Sequence, residues 1–322
     1  MLLALDVGNT NTVLGVFAGK RLTAHWRLTT ARDQTVDEYG ILTRDLFTLA
    51  GIQPKGIEGV IIASVVPSLN ATLLEMAERY FGLQALFVEP GTQAVMRVLY
   101  DNPEEVGADR IANAVAAFEK YGGPCVVVDF GTAINFDVVS ARGEYLGGVL
   151  APGLGISADA LFAQAARLFR VEIRDPGKII GTNTAVSLQA GFYYGFTGLV
   201  DGILERLTKE LGPRTRVIAT GGQAALIAPG SRYIESVDEN LTLDGLRIFW
   251  ERMQVQSRDP STPLPSTALR TGRAGRKGAG RKGVRCEVLG ARNQSRDREG
   301  AVNKQEKKRE GRARHNDTKG RK

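Results

Sequence analysis

A chain of 322 residues with 43% apolar and 24% charged residues is long enough to bury a proper core and has the balance of a soluble globular protein. Two histidines (His25, His315) and two cysteines (Cys125, Cys286) argue against a His-ligated metal centre, His-based triad chemistry and a disulfide framework, so a reducing cytoplasm is the expected setting. The net charge of +7 is composite: residues 255–322 carry 20 Lys and Arg against 7 acids, residues 1–254 carry 22 against 28, and the body is therefore no basic nucleic-acid binder.

Residues 1–6, without basic residues and ending on an acid, read as a buried strand and not as a leader, and no apolar run is long enough for a membrane span. Segments 2–5 and 12–17 form strands joined by a tight polar turn, with a second turn at 18–20. Val36, Tyr39, Leu42, Leu46 and Leu49 share one helical face, and Leu69, Leu73, Met76 and Tyr80 share another behind Ser68. Short apolar strands are expected at 59–66 and 85–88, and Ile111, Ala114, Val115 and Phe118 define a helix behind Asp109. Three strands then follow at 124–128, 134–139 and 144–150, with helices at 156–169 and 183–211, a strand at 216–219 and a last helix at 241–253. The 183–211 helix carries Gly191, Gly195, Gly198 and Gly202; these cost helix propensity, so close packing or a break is expected there. Cys125 reads as a buried strand residue.

The opening pattern occurs twice. Asp6-Val-Gly8-Asn-Thr10 and Asp129-Phe-Gly131-Thr132 each end an apolar strand and begin a hairpin, 123 residues apart. One Asp-x-Gly turn is common in hairpins; two at matching places imply a duplicated unit. The pattern resembles that of the actin, sugar-kinase and Hsp70 superfamily. It implies an α/β, duplicated actin-like (ribonuclease H-like) two-domain fold with the nucleotide cleft between domains, taken as residues 1–120 and 121–253.

Such a pair of turns suits phosphoryl transfer, which needs phosphate donors, a cation and a group that positions the nucleophile. Gly8 and Gly131 let backbone N–H groups approach phosphate oxygens, and Thr10, Asn11, Thr12 and Thr132 add side-chain donors. Asp6 and Asp129 would face phosphates only through a hard cation such as Mg²⁺. No Walker-type loop is present and no Gly-x-Gly-x-x-Gly follows an expected strand, so the two hairpins must supply the cradle.

Asp6-Val-Gly-Asn-Thr-Asn-Thr-Val13, Gly107-Ala-Asp109-Arg110, Asp129-Phe-Gly-Thr132, Gly147-Gly-Val-Leu-Ala-Pro-Gly153 and Thr220-Gly-Gly222 follow one another as in type III pantothenate kinases, and the resemblance spans about residues 1–253. It implies ATP-dependent phosphorylation of pantothenate to 4′-phosphopantothenate, the first step of coenzyme A synthesis. It also implies a homodimer with the vitamin near the interface, and K⁺ or NH₄⁺ besides Mg²⁺. Carried over residue by residue, Asp6, Val7, Gly8, Asn9, Thr10, Asn11, Thr12, Val13 and Thr132 match ATP-binding positions. Asp109 matches the general base. Tyr100, Gly107, Ala108, Asp109, Arg110 and Thr184 match substrate-binding positions, with Arg110 suited to an anionic group, and Asp129 matches the monovalent-cation ligand.

From residue 254 to 322 the periodicity stops; Pro260, Pro263 and Pro265 precede Gly-, Arg- and Lys-rich sequence, and the segment is expected to be disordered. It reads either as an extension without function, of the kind a shifted reading frame yields, or as an electrostatic grip on a polyanion such as nucleic acid. The second reading supports an alternative function, a non-catalytic metabolite-sensing regulator of the same fold; loss of Asp6, Asp109 or Asp129 would mark such a protein, and all three are present.

Overall fold

The computed structural model describes residues 1–258 apart from Ala94. The last helix, expected to close at 253, runs on to Arg258, so residues 254–258 are helical and not disordered, and the rest of the expected tail lies outside the described residues. The first unit is built from β1 (Leu2–Val7), β2 (Asn11–Ala18), β3 (Arg21–Thr29), α1 (Val36–Leu49), β4 (Gly59–Ser64), α2 (Asn70–Phe81) and β5 (Leu86–Val88). Next come β6 (Arg97–Val98), α3 (Ala108–Tyr121), β7 (Cys125–Phe130), β8 (Ala133–Val139), β9 (Glu144–Pro152), α4 (Leu154–Gln164) and α5 (Thr184–Leu211). The described chain closes with β10 (Arg216–Thr220), α6 (Ala224–Ile227), β11 (Ser236–Val237) and α7 (Leu241–Arg258).

The duplication is visible in the sheets. One has the order β3-β2-β1-β4-β5; the other, read from β9, has β9-β8-β7-β10-β11, with β6 added outside β9. In both, the first three strands are antiparallel and the last two run parallel to the first. This is the expected duplicated actin-like architecture. Sheet membership departs from chain order at two places. β6, from the first half of the chain, pairs with β9 of the second sheet, and α7, from the second half, packs on β1, β2 and β4 of the first.

Strand alternation explains the layers. Leu3, Leu5 and Val7 of β1 point to Tyr39, Phe47, Leu73 and Met76 of the α1–α2 layer, while Leu2 and Ala4 belong to a core shared with α3 and α7. In β7, Val126, Val128 and Phe130 face Tyr193, Val200 and Leu204 of α5, whereas Cys125 and Val127 join that same shared core. Both central strands are thus buried on two faces, which is why they read as unbroken apolar runs. Helices α3 and α7 cross between the sheets so closely that a Cβ on Gly245 would strike the backbone of Ala112. Cys125 is fully buried, and burial pushes its thiol up to about 12.

Two expectations about helices need correction. The helix expected over 156–169 ends at Gln164, where Ala165 turns extended. The 28-residue α5 is unbroken, and added Cβ atoms on Gly191, Gly195 and Gly198 would meet nothing within 4 Å. These three glycines neither break the helix nor pack against another element among the described residues, while a Cβ on Gly202 would meet the Arg206 side chain at 3.6 Å. Among the described residues, no helix is long and apolar enough to cross a membrane.

Candidate active site

The two Asp-x-Gly hairpins meet. The turn after β1 and the turn after β7 bring the hydroxyls of Thr10 and Thr132 to 3.1 Å from each other. Asp6 and Asp129 stand one strand residue before each turn's end strand closes, at equivalent register positions opposite Val13 and Asn135. A third turn, Thr220-Gly221-Gly222, follows β10, whose Thr220 lies beside Asp129. Gly221 has φ of +91°, and a Cβ there would strike the Asp129 carboxylate and the Phe130 backbone. Both constraints select glycine. Together these segments line a cleft of about 490 Å³ that also includes Arg27, Asp159, Glu239 and Thr242.

The hairpins use their donors differently from the sequence expectation. The N–H of Gly8 donates to Asn11 O (2.9 Å) and that of Gly131 to Ala133 O (3.0 Å), so both close their own turns and neither is free for a phosphate. Thr12 is fully buried, its hydroxyl 2.9 Å from that of Thr30. Val7 is likewise buried in the core. The N–H groups of Asn9, Thr10 and Thr132 have no partner among the described residues and are the ones left to meet an anion. The Asn9 carboxamide oxygen accepts from Arg32 (3.1 Å), and Thr30 donates to Gly8 O (2.7 Å), which holds the first turn against β3. Asn11, Val13 and Thr132 line the cleft directly.

Asp109 occupies the first turn of α3, behind Gly107 as N-cap. Its Oδ1 accepts the N–H of Arg110 (2.9 Å) and sits where a Cβ on Gly107 would be, so the glycine makes room for the carboxylate. Ala108 is buried and offers only backbone. The carboxyl of Asp109 is raised from the usual range by burial, against the Arg110 N–H bond and charge, which lower it. Asp6 is raised well above that range by burial, then by the charges of Asp109 and Asp129. Asp129 is pushed up to about 7 by burial and by Asp109 and Asp137, with Asn113 and Arg27 acting the other way. The charges of Asp6, Asp109 and Asp129 thus act on one another, and of the three Asp6 and Asp129 line the cleft.

The sequence reading left Arg110 available to an anionic ligand, and here a partner already claims part of it. Its Nε donates to Asp137 Oδ1 (2.7 Å), which also accepts the Tyr145 hydroxyl (2.8 Å). Asp137 is fully buried, its other oxygen has no partner, and burial raises its carboxyl to about 6. Tyr100 packs on Tyr145 with ring centroids 6.5 Å apart, and Arg110 lies 5.9 Å over the same ring. The structure thus gathers Tyr100, Arg110 and Asp109 into one neighbourhood. It does not bring Thr184 there: Thr184 is exposed at the start of α5, in a separate depression with Leu168, Gly181 and Ser187.

Sequence reasoning missed three residues. Asp137 and Asn113 are polar residues in apolar elements, a visible signal without a partner to interpret it. Asn113 is fully buried and donates to Asp129 Oδ2 (3.3 Å) while its own oxygen accepts from Thr242 (2.8 Å). Arg27 was one exposed residue in an alternating strand, and nothing in its local sequence sets it apart.

The donor set around Asp6 and Asp129 is all oxygen, which suits a hard cation. The Asp6 carboxylate accepts no hydrogen bond among the described residues, and a cation would relieve both its burial and the mutual repulsion. Among those residues no three His, Cys, Asp or Glu stand close enough to form a metal cage by themselves. A Mg²⁺ fits here as an ion held by one or two carboxylates, waters and phosphate oxygens.

Comparison with known proteins gives a consistent result. Residues 2–206 match the family described as type III pantothenate kinase. The type III pantothenate kinase of Koribacter versatilis is 62% identical over 268 residues, covering 80% of this chain and 98% of that protein. That of Solibacter usitatus is 57% identical over 252 residues, covering 78% and 97%. That of Moorella thermoacetica is 54% identical over 252 residues, covering 78% and 99%.

Proposed function

The chain belongs to the type III pantothenate kinases, enzymes that phosphorylate pantothenate with ATP and a divalent metal in the first step of coenzyme A biosynthesis, and we propose that it does so with Asp109 as base and the paired hairpins as phosphate cradle. The observation that carries this reading is the meeting of Thr10 and Thr132 over Asp6 and Asp129. Asp109 takes the proton of the primary hydroxyl as its oxygen attacks the γ-phosphorus; the bond from that phosphorus to the β-bridging oxygen breaks, and ADP leaves. Burial raises the proton affinity of the Asp109 carboxylate above that of a free one, which suits a group that takes a proton in the reaction. The N–H groups of Asn9, Thr10 and Thr132 with the Thr10 and Thr132 hydroxyls orient the phosphates. Asp6 and Asp129 would hold Mg²⁺ beside the phosphates, where the ion would supply positive charge against the charge that develops in transfer. Tyr100, Gly107 and Arg110 hold the substrate beside Asp109.

Asp129, steadied by Asn113, is the ligand for K⁺ or NH₄⁺ in this reading. A homodimer is supported by two features. Thr184 lines a depression separate from the cleft, and a neighbouring chain would reconcile that place with a substrate contact. The glycine stripe of α5 opens to solvent, which leaves a helix face for close packing by a second copy. The cytoplasm, where ATP and reduced thiols prevail, is the fitting compartment.

The test is to incubate the purified full-length chain with ATP, Mg²⁺ and K⁺ and each of pantothenate, glucose, N-acetylglucosamine and acetate. Only pantothenate should yield a phosphorylated product; turnover of a sugar in its place overturns the reading.

A further inference from the structure

Arg27 is the one Lys or Arg among the residues lining the cleft, where it faces four acids: Asp6, Asp129, Asp159 and Glu239. It projects from β3 at the outer edge of the first sheet, exposed, with no hydrogen bond or ion pair among the described residues. Its guanidinium reaches across to the second sheet: one terminal nitrogen lies 3.2 Å from where a Cβ on Gly222 would be. Its charge is felt at both Asp6 and Asp129, the floor of the site. An arginine without a partner, stretched over a cleft that is otherwise acidic, is poised for an anion from solution.

A nucleoside triphosphate brings more negative charge into this place. The sequence has no Walker-type lysine, and Arg110 has its Nε bound to Asp137. One divalent ion offsets only part of the phosphate charge, so a side-chain cation at the cleft is needed to make entry favourable. The planar fork of arginine matches phosphate oxygens better than a point charge does. We propose that Arg27 is a catalytic residue of this kinase that grips the nucleotide phosphates and stabilises the charge that shifts toward the leaving oxygen during transfer. The proposal rests on the kinase assignment and adds to it a residue in contact with the nucleotide. Gly222 has a matching role: it leaves the space through which the guanidinium passes, and any side chain there would crowd it.

The experiment compares wild type with Arg27→Ala, Arg27→Gln and Arg27→Lys. Calorimetry measures binding of Mg²⁺·AMPPNP and, separately, of adenosine, which has the base and ribose but no phosphate. Arg27→Ala should weaken AMPPNP at least tenfold, leave adenosine within twofold, and lower kcat by about 10²-fold, the scale of losing one preorganised donor to a developing anion. The KM for pantothenate should stay within threefold, and Arg27→Lys should recover part of the AMPPNP affinity. AMPPNP binding within twofold of wild type overturns the proposal. So does an equal loss for adenosine and AMPPNP, which would mean that Arg27 only shapes the cleft. A rise in the pantothenate KM with AMPPNP unmoved overturns it too, by assigning Arg27 to the vitamin's carboxylate. Arg27→Gln removes the charge but keeps a polar side chain, though a shorter one, and gives a second reading if the alanine variant does not fold. Failure of the wild type to phosphorylate pantothenate would defeat the kinase assignment, while the AMPPNP and adenosine comparison would still decide the role of Arg27.

Discussion

Asp129 links the chemistry of the cleft to the stability of the free protein. Its carboxyl is pushed up to about 7 from an ordinary value of 3.8, first by burial and then by the charges of Asp109 and Asp137. Between those two values the folded protein holds a proton that the unfolded chain has lost. Stability therefore falls as pH rises through that window, because the native state binds more protons. Each tenfold in proton affinity is worth about 1.4 kcal/mol, so the carboxylate carries a penalty of roughly 4 kcal/mol once fully ionised. Asp6 and Asp137 are raised too and act in the same direction. Urea unfolding of the ligand-free protein at intervals from pH 5 to pH 8.5 should show this loss. Asp129→Asn keeps the shape but removes the charge, so it should flatten the slope and make the variant more stable than wild type at pH 8. The same variant should lose turnover and any response to K⁺. Adding Mg²⁺ and K⁺ should stabilise wild type more at pH 8 than at pH 5.5. A variant less stable than wild type at pH 8, or wild-type stability that rises steadily from pH 5 to pH 8, would refute the reasoning.

The remaining predictions concern other links. Asp109→Asn is nearly isosteric but cannot take the proton; kcat should fall by roughly 10²–10⁴-fold with the melting temperature kept, and near-normal turnover would remove Asp109 from the mechanism. Asp137→Ala strips Arg110 of its buried partner and should cost about 3–5 kcal/mol in urea unfolding, with a higher KM for pantothenate in whatever folds; a loss under 1 kcal/mol would show that the pair is not needed. Truncation after Arg258 should leave kcat/KM within about twofold at physiological salt, well below the 1.4 kcal/mol of a tenfold effect, and should abolish heparin binding. All cleft-lining residues lie between Asp6 and Leu243, so a large loss would place part of the tail in the fold.

Much of the architecture was legible because both central strands, β1 and β7, are buried on two faces and end in the same Asp-x-Gly turn. A repeat of apolar strand, acid and glycine survives in sequence because each part has a local cause. What was not legible depends on partners far apart in the chain. The two-residue β6 has too little sequence to mark it, and its pairing with β9 exists only once the second sheet is built. The glycines of α5 were read as a sign of packing, but sequence cannot say whether the packing partner belongs to the same chain.

The site divides in the same way. Asp6, Asp109 and Asp129 stand near element ends, each two residues from a glycine, and that local pattern could be singled out. Which backbone donors are free could not: the glycines that look made for phosphate close their own turns, and the donors fall to Asn9, Thr10 and Thr132. Asn113, Asp137 and Arg27 act on residues 16, 27 and about 100 positions away, so each role appears only when the fold brings their elements together. The same convergence explains why the acids tolerate one another. Asn113 and Arg27 each lower the proton affinity of Asp129, yet together they leave it near 7, and the remaining repulsion is what a bound cation would relieve. A cleft built to be uncomfortable when empty gains differential affinity for a charged ligand, because binding removes a penalty that the unliganded protein must carry.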